Sequence, residues 1–255
     1  MKTFLITGAT GNIGRHLCQF ILDHIESEVK LILTARSEDK LEILAKTLIK
    51  KEGHIKYCIS DFEETLSFKK LISLCQAGID GVVIMPPRPV DDATMIPDVR
   101  IWQKAFNSSF HGPVEMIRQL SPALIKKQGS MVFISGITSC QPLDAYMTNT
   151  AIKTAWLGFL KTCADRLGAQ QVRFNSISLG GIMTDTFETK VKNEADEAKV
   201  AIEDLYLQKF SNVPLQKYAN LDEVSDLILF LLNSTASHHM TGQNIVLDGG
   251  FVRKY

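Results

Sequence analysis

The opening stretch Met1-Lys2-Thr3-Phe4-Leu5-Ile6-Thr7-Gly8-Ala9-Thr10-Gly11-Asn12-Ile13-Gly14, continuing through Arg15-His16-Leu17-Cys18-Gln19-Phe20-Ile21 to Glu26, decides the fold. Phe4, Leu5 and Ile6 read as a short buried strand, and Ile13, Leu17, Phe20 and Ile21 recur at helical spacing. Three glycines with distinct roles stand between. Gly8 lets the chain turn tightly off the strand, Gly11 lets the backbone approach a pyrophosphate, and Gly14 lets the helix pack down on the sheet. The helix N-terminus adds free N–H groups and the positive end of its dipole. A glycine triplet alone is equally an ordinary turn. Between a strand and an apolar-striped helix it is a phosphate cradle, to which Thr10, Asn12 and Ile13 also belong.

Outward from that cradle, residues 29–34 (VKLILT) read as a buried strand and 37–51 as a helix carrying Leu41, Leu44, Ala45 and Leu48 on one face. A third strand is expected at 54–59, a helix at 63–76, and a fourth strand at 81–85 (GVVIM), stopped at once by Pro86-Pro87-Arg88-Pro89. A long helical region, 98–127, is expected to break near Gly112-Pro113. Then follow a strand at 131–135, a helix at 146–168, a strand at 172–177, a charged helical stretch at 187–210, a helix at 222–232 and a last strand at 244–247. Strands alternating with helices predict an α/β fold, a doubly wound parallel sheet of about seven strands with helices on both faces. Nearly continuous apolar strands suit such a sheet, covered on both sides. Right-handed crossovers then bring every strand's C-terminal end to one rim, where ligands bind.

Length and composition agree with one domain over 1–255. The chain is 45% hydrophobic and 22% charged, enough for a substantial core. Lys plus Arg balance Asp plus Glu at 28 each, which leaves no electrostatic argument for nucleic acid or an anionic membrane. The basic pairs Lys50-Lys51 and Lys126-Lys127 read as solvated helix ends. Five scattered cysteines without CxxC spacing argue against disulfides and zinc and for a reducing compartment. His111, His238 and His239 lack metal-ligand spacing. No leader segment and no membrane-length apolar run is visible, so a cytoplasmic protein is expected.

The informative residues fall just after strands. Where a carboxylate would bind a ribose 2′-hydroxyl, the chain offers Arg36 and Ser37, which favours the 2′-phosphate of NADP(H) over NAD(H). The alternative is a surface arginine pairing with Glu38 or Asp39. Asp61, after the third strand and beside Phe62, is a candidate acceptor for an adenine amino group, or the N-cap of a helix starting near Glu63.

From residue 2 to 250 the chain resembles the short-chain dehydrogenase/reductase superfamily, a Rossmann-type fold with strand order 3-2-1-4-5-6-7. The resemblance is carried by the cradle, by Met240-Thr241-Gly242-Gln243-Asn244-Ile245-Val246-Leu247-Asp248-Gly249-Gly250, and by Val172-Arg173-Phe174-Asn175-Ser176-Ile177-Ser178-Leu179-Gly180-Gly181-Ile182-Met183-Thr184. It implies cofactor contacts at Ile182 and Thr184 and at Pro86, in the segment that replaces the family's Asn-Asn-Ala-Gly. It also implies a mobile substrate lid at about 185–212 and a homotetramer or homodimer built through residues 98–127 and 146–168.

The ketoreductase pattern of the family has Asn, Ser, Tyr and Lys, the last two separated by three residues. Aligned on Lys153, it places Asn149 at the Tyr, Gly136 near the Ser and Ser109 near the Asn. A second register pairs Tyr146 with Lys153 across six residues, similar to the enoyl-thioester reductases, with Ser135 nearby. The chemistry gives the spacing meaning. Ketone reduction puts charge on the oxygen of the carbon that receives hydride, whereas conjugate reduction puts it on an enolate oxygen farther away. Moving the donor one helical turn toward the N-terminus changes its reach in that sense. Lys153 would bind the nicotinamide ribose and favour tyrosine ionisation.

The expected activity is therefore NADPH-dependent reduction of a conjugated C=C in a small molecule, such as an enoyl thioester or related enone or acid. A 3-oxoacyl-type carbonyl reductase with an altered tetrad, and a catalytically silent NADP-binding protein, are the alternatives. Beside them stand readings of Tyr146 as a partly buried aromatic, Lys153 as a solvated lysine, Ser135 as structural and 187–210 as a plain amphipathic helix.

Overall fold

The computed structural model describes residues 1–48, 54–89, 96–144 and 146–254. Seven strands form one sheet: β1 (Lys2–Thr7), β2 (Val29–Ala35), β3 (His54–Ile59), β4 (Gly81–Ile84), β5 (Ser130–Gly136), β6 (Arg173–Leu179) and β7 (Asn244–Leu247). Their order is β3-β2-β1-β4-β5-β6-β7, and all pairs are parallel. Fold class and strand order are those expected. The chain winds from β1 outward to β3, then returns to place β4 on β1's other side, so the order reverses between the ends of β1 and β4. That switch opens a crevice at the rim.

Each sheet face is buried under helices. On one side lie α3 (Phe68–Cys75), α4 (Val99–Phe106), α5 (Gly112–Lys127) and α6 (Met147–Leu167), with Leu71, Met116, Leu120, Ile152 and Trp156 in that core. On the other lie α1 (Asn12–His24), α2 (Glu38–Leu48) and α9 (Leu221–Asn233), contributing Leu17, Ile21, Leu41, Ile228 and Leu231. Strands buried on both faces need the continuous apolar runs that the sequence shows. Asn220 and Glu223 form a reciprocal capping box that starts α9.

Three local expectations are corrected. The helix expected from residue 63 begins at Phe68, because residues 61–64 form a turn and 65–67 a single 3-10 turn. The break near Gly112-Pro113 lies one turn earlier, in a π-helical turn over Asn107–His111. Gly112 serves packing instead, since a Cβ there would lie 1.9 Å from the Phe62 carbonyl oxygen, and its absence lets α5 seat against the chain after β3. The charged stretch splits into α7 (Asp185–Ala198) and α8 (Ile202–Phe210), divided at Lys199, whose φ of 55° is left-handed. The last residues of the expected 37–51 helix, with Lys50-Lys51, and part of the segment after Pro89 lie outside the described residues.

Candidate active site

The cradle forms as its glycines require. Gly8 has φ +59°, a conformation open to glycine. A Cβ on Gly14 would meet the Gly8 carbonyl oxygen at 2.4 Å and the Ala9 Cα at 2.8 Å, so only glycine lets α1 sit this close to the loop. Thr7 locks the neighbouring strand end: its hydroxyl donates to the Val83 carbonyl at 3.1 Å and accepts from the Met85 N–H at 2.7 Å.

Two concavities open on the rim. The first, a groove of about 400 Å³, is lined by Gly8, Thr10, Gly11, Arg36, Asp61 and Phe62 of the candidate cofactor set. Ser37, Lys40 and the buried Ser60 line it too, and Lys40 and Ser60 carry no signal in the sequence. Lys40 stands in the first turn of α2, after the bend that holds Arg36, where nothing in the sequence sets it apart from other helix lysines. Among the described residues Arg36 enters no ion pair with Glu38 or Asp39, and it is exposed. The Asp61 carboxylate accepts from the Glu63 N–H at 3.0 Å, closing a turn rather than capping a helix at residue 63. Backbone N–H groups at one end and the cations Arg36 and Lys40 at the other suit an anionic dinucleotide.

The second, a cavity of about 500 Å³, brings together Tyr146, Lys153 and Ser135 with Ile13, Pro86, Ile182 and Thr184. Pro87 lines both concavities. Asn12 and Gly14 line neither: Gly14 acts by packing, and the Asn12 amide donates to the Thr186 hydroxyl at 2.9 Å. Beside that bond Arg15 pairs with Asp185, so the first turn of α7 is clasped to the first turn of α1. The Thr184 hydroxyl accepts from the Phe187 N–H at 3.2 Å as the N-cap of α7.

Tyr146 stands at the N-cap of α6 and Lys153 two turns along the same helix, on the cavity side. The Arg88 guanidinium lies 4.9 Å above the centre of the Tyr146 ring. The Lys153 ammonium comes so near β5 that a Cβ on Gly136 would be 2.6 Å from its Nζ. A second phenol, Tyr218, faces the cavity but donates to the Lys209 carbonyl at 3.2 Å, and burial raises its pKa. Its ring packs 2.5 Å from where a Gly181 Cβ would stand, which explains that glycine. Phe187 and Tyr218, with ring centroids 5.1 Å apart, make an aromatic wall of the cavity.

The residues at the ketoreductase positions are committed elsewhere. Asn149 is buried, and its amide donates to the Pro89 carbonyl at 3.3 Å. Ser109, buried in the π-helical turn, donates to the Pro87 carbonyl at 2.9 Å, while its own carbonyl accepts from the Trp156 indole at 2.8 Å. A proline-rich segment has few N–H groups with which to bind its surroundings. Donors from α6 and the π-helical turn hold it by its carbonyls. Neither pairing is legible in sequence, because each spans tens of residues. Among the described residues no His, Cys, Asp and Glu group could hold a metal ion, and no helix is long and apolar enough to cross a membrane.

Comparison with known proteins agrees with this geometry. Residues 25–252 match the family model described as Enoyl-(Acyl carrier protein) reductase. The L-xylulose reductase of Caenorhabditis elegans is 28% identical over 259 residues, covering 98% of this chain and 95% of that protein. A 3-oxoacyl-[acyl-carrier-protein] reductase of Thermotoga maritima is 25% identical over 255 residues, covering 98% of each. In structure, L-sorbose reductase from Gluconobacter frateurii, complexed with NADPH and L-sorbose, superposes with a TM-score of 0.90 at 20% identity, covering 100% of this chain and 97% of that one. With the cradle, the groove and the Tyr146–Lys153 cavity on one rim, the chain belongs to the Enoyl-(Acyl carrier protein) reductase family of the short-chain dehydrogenase/reductase superfamily, as a divergent NAD(P)-dependent oxidoreductase.

Proposed function

We propose that the chain reduces a conjugated C=C bond, in an enoyl thioester or a related enone or acid, with NADPH as the cofactor. One observation carries the reading. Asn149, at the position of the ketoreductase donor, is buried and bonded to the Pro89 carbonyl, whereas Tyr146 presents a phenol to the cavity that Lys153 shares. The proton donor has moved one turn toward the start of α6, the direction that an enolate oxygen remote from the hydride-accepting carbon requires.

Bound NADPH supplies the hydride. Gly8, Thr10, Gly11 and the N-terminus of α1 would hold its pyrophosphate, and Arg36 with Lys40 its 2′-phosphate. Lys153 would bind the nicotinamide ribose, and its ammonium offsets negative charge developing on the Tyr146 oxygen. The Tyr146 hydroxyl delivers its proton to the substrate oxygen that carries the enolate charge, the resulting enol takes a proton at its α-carbon from solvent and releases the one on oxygen to give the saturated product, and the phenolate is reprotonated from solvent. Phe187 and Tyr218 exclude water from one side. A homo-oligomer formed through α4, α5 and α6 and a reducing cytoplasmic setting complete the proposal. The five free cysteines support the latter.

The test is NADPH oxidation with two matched substrates, a crotonyl-type thioester and its β-keto counterpart, in wild type and Tyr146→Phe. Turnover of the enoyl substrate alone, lost in the variant, is the expected result. Carbonyl reduction is the second reading, favoured by relatives named as L-xylulose and 3-oxoacyl reductases. Turnover of the keto substrate that survives Tyr146→Phe would establish it and sink the first.

A further inference from the structure

Ser109 and Asn149, which stand where the ketoreductase pattern has its Asn and Tyr, serve a single purpose in this chain. Ser109 donates to the Pro87 carbonyl at 2.9 Å and Asn149 to the Pro89 carbonyl at 3.3 Å, and both donors are buried. The backbone is therefore pinned immediately before and immediately after Arg88. Prolines at 86, 87 and 89 stiffen the same stretch. Two polar side chains of the core thus fix the place from which one arginine reaches out.

Arg88 lines the cavity with Tyr146 and Lys153, and its guanidinium carbon lies 4.9 Å above the centre of the Tyr146 ring. The ring face attracts the cation and steers it beside the phenol. A guanidinium lying over a ring keeps N–H donors at its edge, in the fork that fits a carboxylate. Charge on the cavity wall is one-sided: among the described residues that line it, Arg88 and Lys153 are cations and none is Asp or Glu. A cleft lined by one sign of charge draws ligands of the other. Lys153 already serves the nicotinamide ribose and the phenol in the proposed reduction, whereas Arg88 has no part in it.

We propose that Arg88 binds a free carboxylate on the substrate, and that the substrate is a small conjugated 2-oxo acid rather than an acyl group on a carrier thioester. The guanidinium stands over the ring that bears the proton-donating hydroxyl, so the anion held by one and the carbonyl oxygen met by the other are close neighbours in one molecule. A 2-oxo acid places them on adjacent carbons, where a thioester has sulfur. This rests on the C=C reading of the cavity and narrows it. On that reading the cavity, of about 500 Å³, also admits the nicotinamide, which leaves space for a small substrate.

The experiment compares 2-oxo-4-phenylbut-3-enoate with its methyl ester, which keeps the C=C and C=O bonds and removes the charge. Wild type, Arg88→Gln, Arg88→Lys and Tyr146→Phe are assayed for kcat/KM by NADPH oxidation, for product by NMR, and for Tm. Wild type should favour the acid over the ester roughly 10- to 100-fold, mostly through KM. Arg88→Gln should erase that preference at unchanged Tm, since Arg88 is exposed, and Arg88→Lys should recover part of it. Tyr146→Phe, which keeps the ring under Arg88, should slow both substrates and retain the preference. No preference in wild type, or the same preference in Arg88→Gln, overturns the proposal. Where neither substrate turns over, calorimetric binding of acid and ester to the NADP⁺-loaded protein is judged by the same ratios, and failure of the acid to bind also overturns it. The product reports on the reaction separately. An unsaturated 2-hydroxy acid with the Arg88 ratios intact would keep the carboxylate assignment and refute C=C reduction. A saturated 2-oxo product with no acid preference would keep C=C reduction and refute the carboxylate assignment.

Discussion

The contact between Gly136 and Lys153 can be tested by adding a single methyl group, in Gly136→Ala. Gly136 has φ −153° and ψ 164°, ordinary extended backbone, so alanine introduces no strain there. The new Cβ would lie 2.6 Å from the Lys153 Nζ, 3.5 Å from the Leu179 carbonyl oxygen and 3.7 Å from the Lys153 Cε. Ordinary contacts between such atoms are about 3.5–4.0 Å, so the ammonium must withdraw by roughly 1 Å while everything else stays in place. Displacing the end of a flexible side chain costs little. Replacing glycine at a compatible conformation stabilises by about 0.4–1 kcal/mol through the unfolded state. For a chain of this size that is at most a rise in Tm of about 4 °C. A positioning error of about 1 Å in a group at the reacting centre costs on the order of 100-fold in rate. The expected variant is thus at least as stable as wild type, binds NADPH more weakly in a fluorescence titration and turns over about 100-fold more slowly, with Lys153→Met showing a similar loss. Full turnover and NADPH affinity in Gly136→Ala would refute the placement of Lys153 as a positioned group. A fall in Tm of several degrees would instead make Gly136 a packing residue.

Arg36→Ala should weaken NADPH binding roughly 10- to 100-fold, leave NADH binding unchanged and move stability by no more than about 0.5 kcal/mol. Equal weakening of both cofactors would remove Arg36 from the 2′-phosphate. Hydrogen bonds from Arg118 and then Gln119 hold the Glu115 carboxyl at a pKa of about 2, below the ordinary 4.5 of a glutamate. A depressed folded pKa contributes stability that is complete above 4.5 and lost as pH falls toward about 2, so Glu115→Gln should flatten the decline of Tm across that window at low salt. Parallel curves would show that the pair contributes nothing. Burial pushes the thiols of Cys18 and Cys75 up to about 12 and raises that of Cys58. Iodoacetamide at mildly alkaline pH should leave these three unlabelled until the protein unfolds, as peptide mapping will show. Their labelling at the unfolded rate in native protein would contradict the core described here.

What can be read from sequence follows the range of the interactions. The cradle is legible because its constraints are local: Gly8 needs positive φ, Gly14 needs to lack a Cβ, and strand and helix flank them directly. The parallel sheet follows from strands alternating with helices, whereas the strand order comes only with the resemblance to the superfamily and is the one observed. Boundaries fail where a break has no glycine or proline to announce it. The π-helical turn at Asn107–His111 keeps apolar residues near helical spacing, and the charged stretch divides at Lys199, a residue type that disfavours left-handed backbone. Tyr146, Lys153 and Ser135 stand out in the sequence and do converge on one cavity. Lys40 and Tyr218 do not stand out, since what distinguishes them is a groove wall and a ring packed on Gly181, both properties of the folded chain. The roles of Asn149 and Ser109 are hidden for the same reason: their acceptors, Pro89 and Pro87, lie 60 and 22 residues away.

On the proposed placement of the pyrophosphate, the clasp between α1 and α7 makes α7 a party to cofactor affinity. Asn12 and Arg15 belong to the helix whose N-terminus would face the pyrophosphate, and their partners Thr186 and Asp185 begin α7. Two events that share a structural element are linked, and linkage is reciprocal: any ordering of α7 gained from NADPH returns as the same factor in NADPH affinity. The pair is exposed, and surface ion pairs contribute about 0.2–1 kcal/mol, so that factor is at most about fivefold. Arg15→Ala should accordingly raise the NADPH Kd by up to that factor and speed hydrogen exchange through residues 185–198 in the loaded protein, both or neither. A coupling of this kind is weak and symmetric, so the order of α7 and the hold on the dinucleotide change by the same factor whichever comes first.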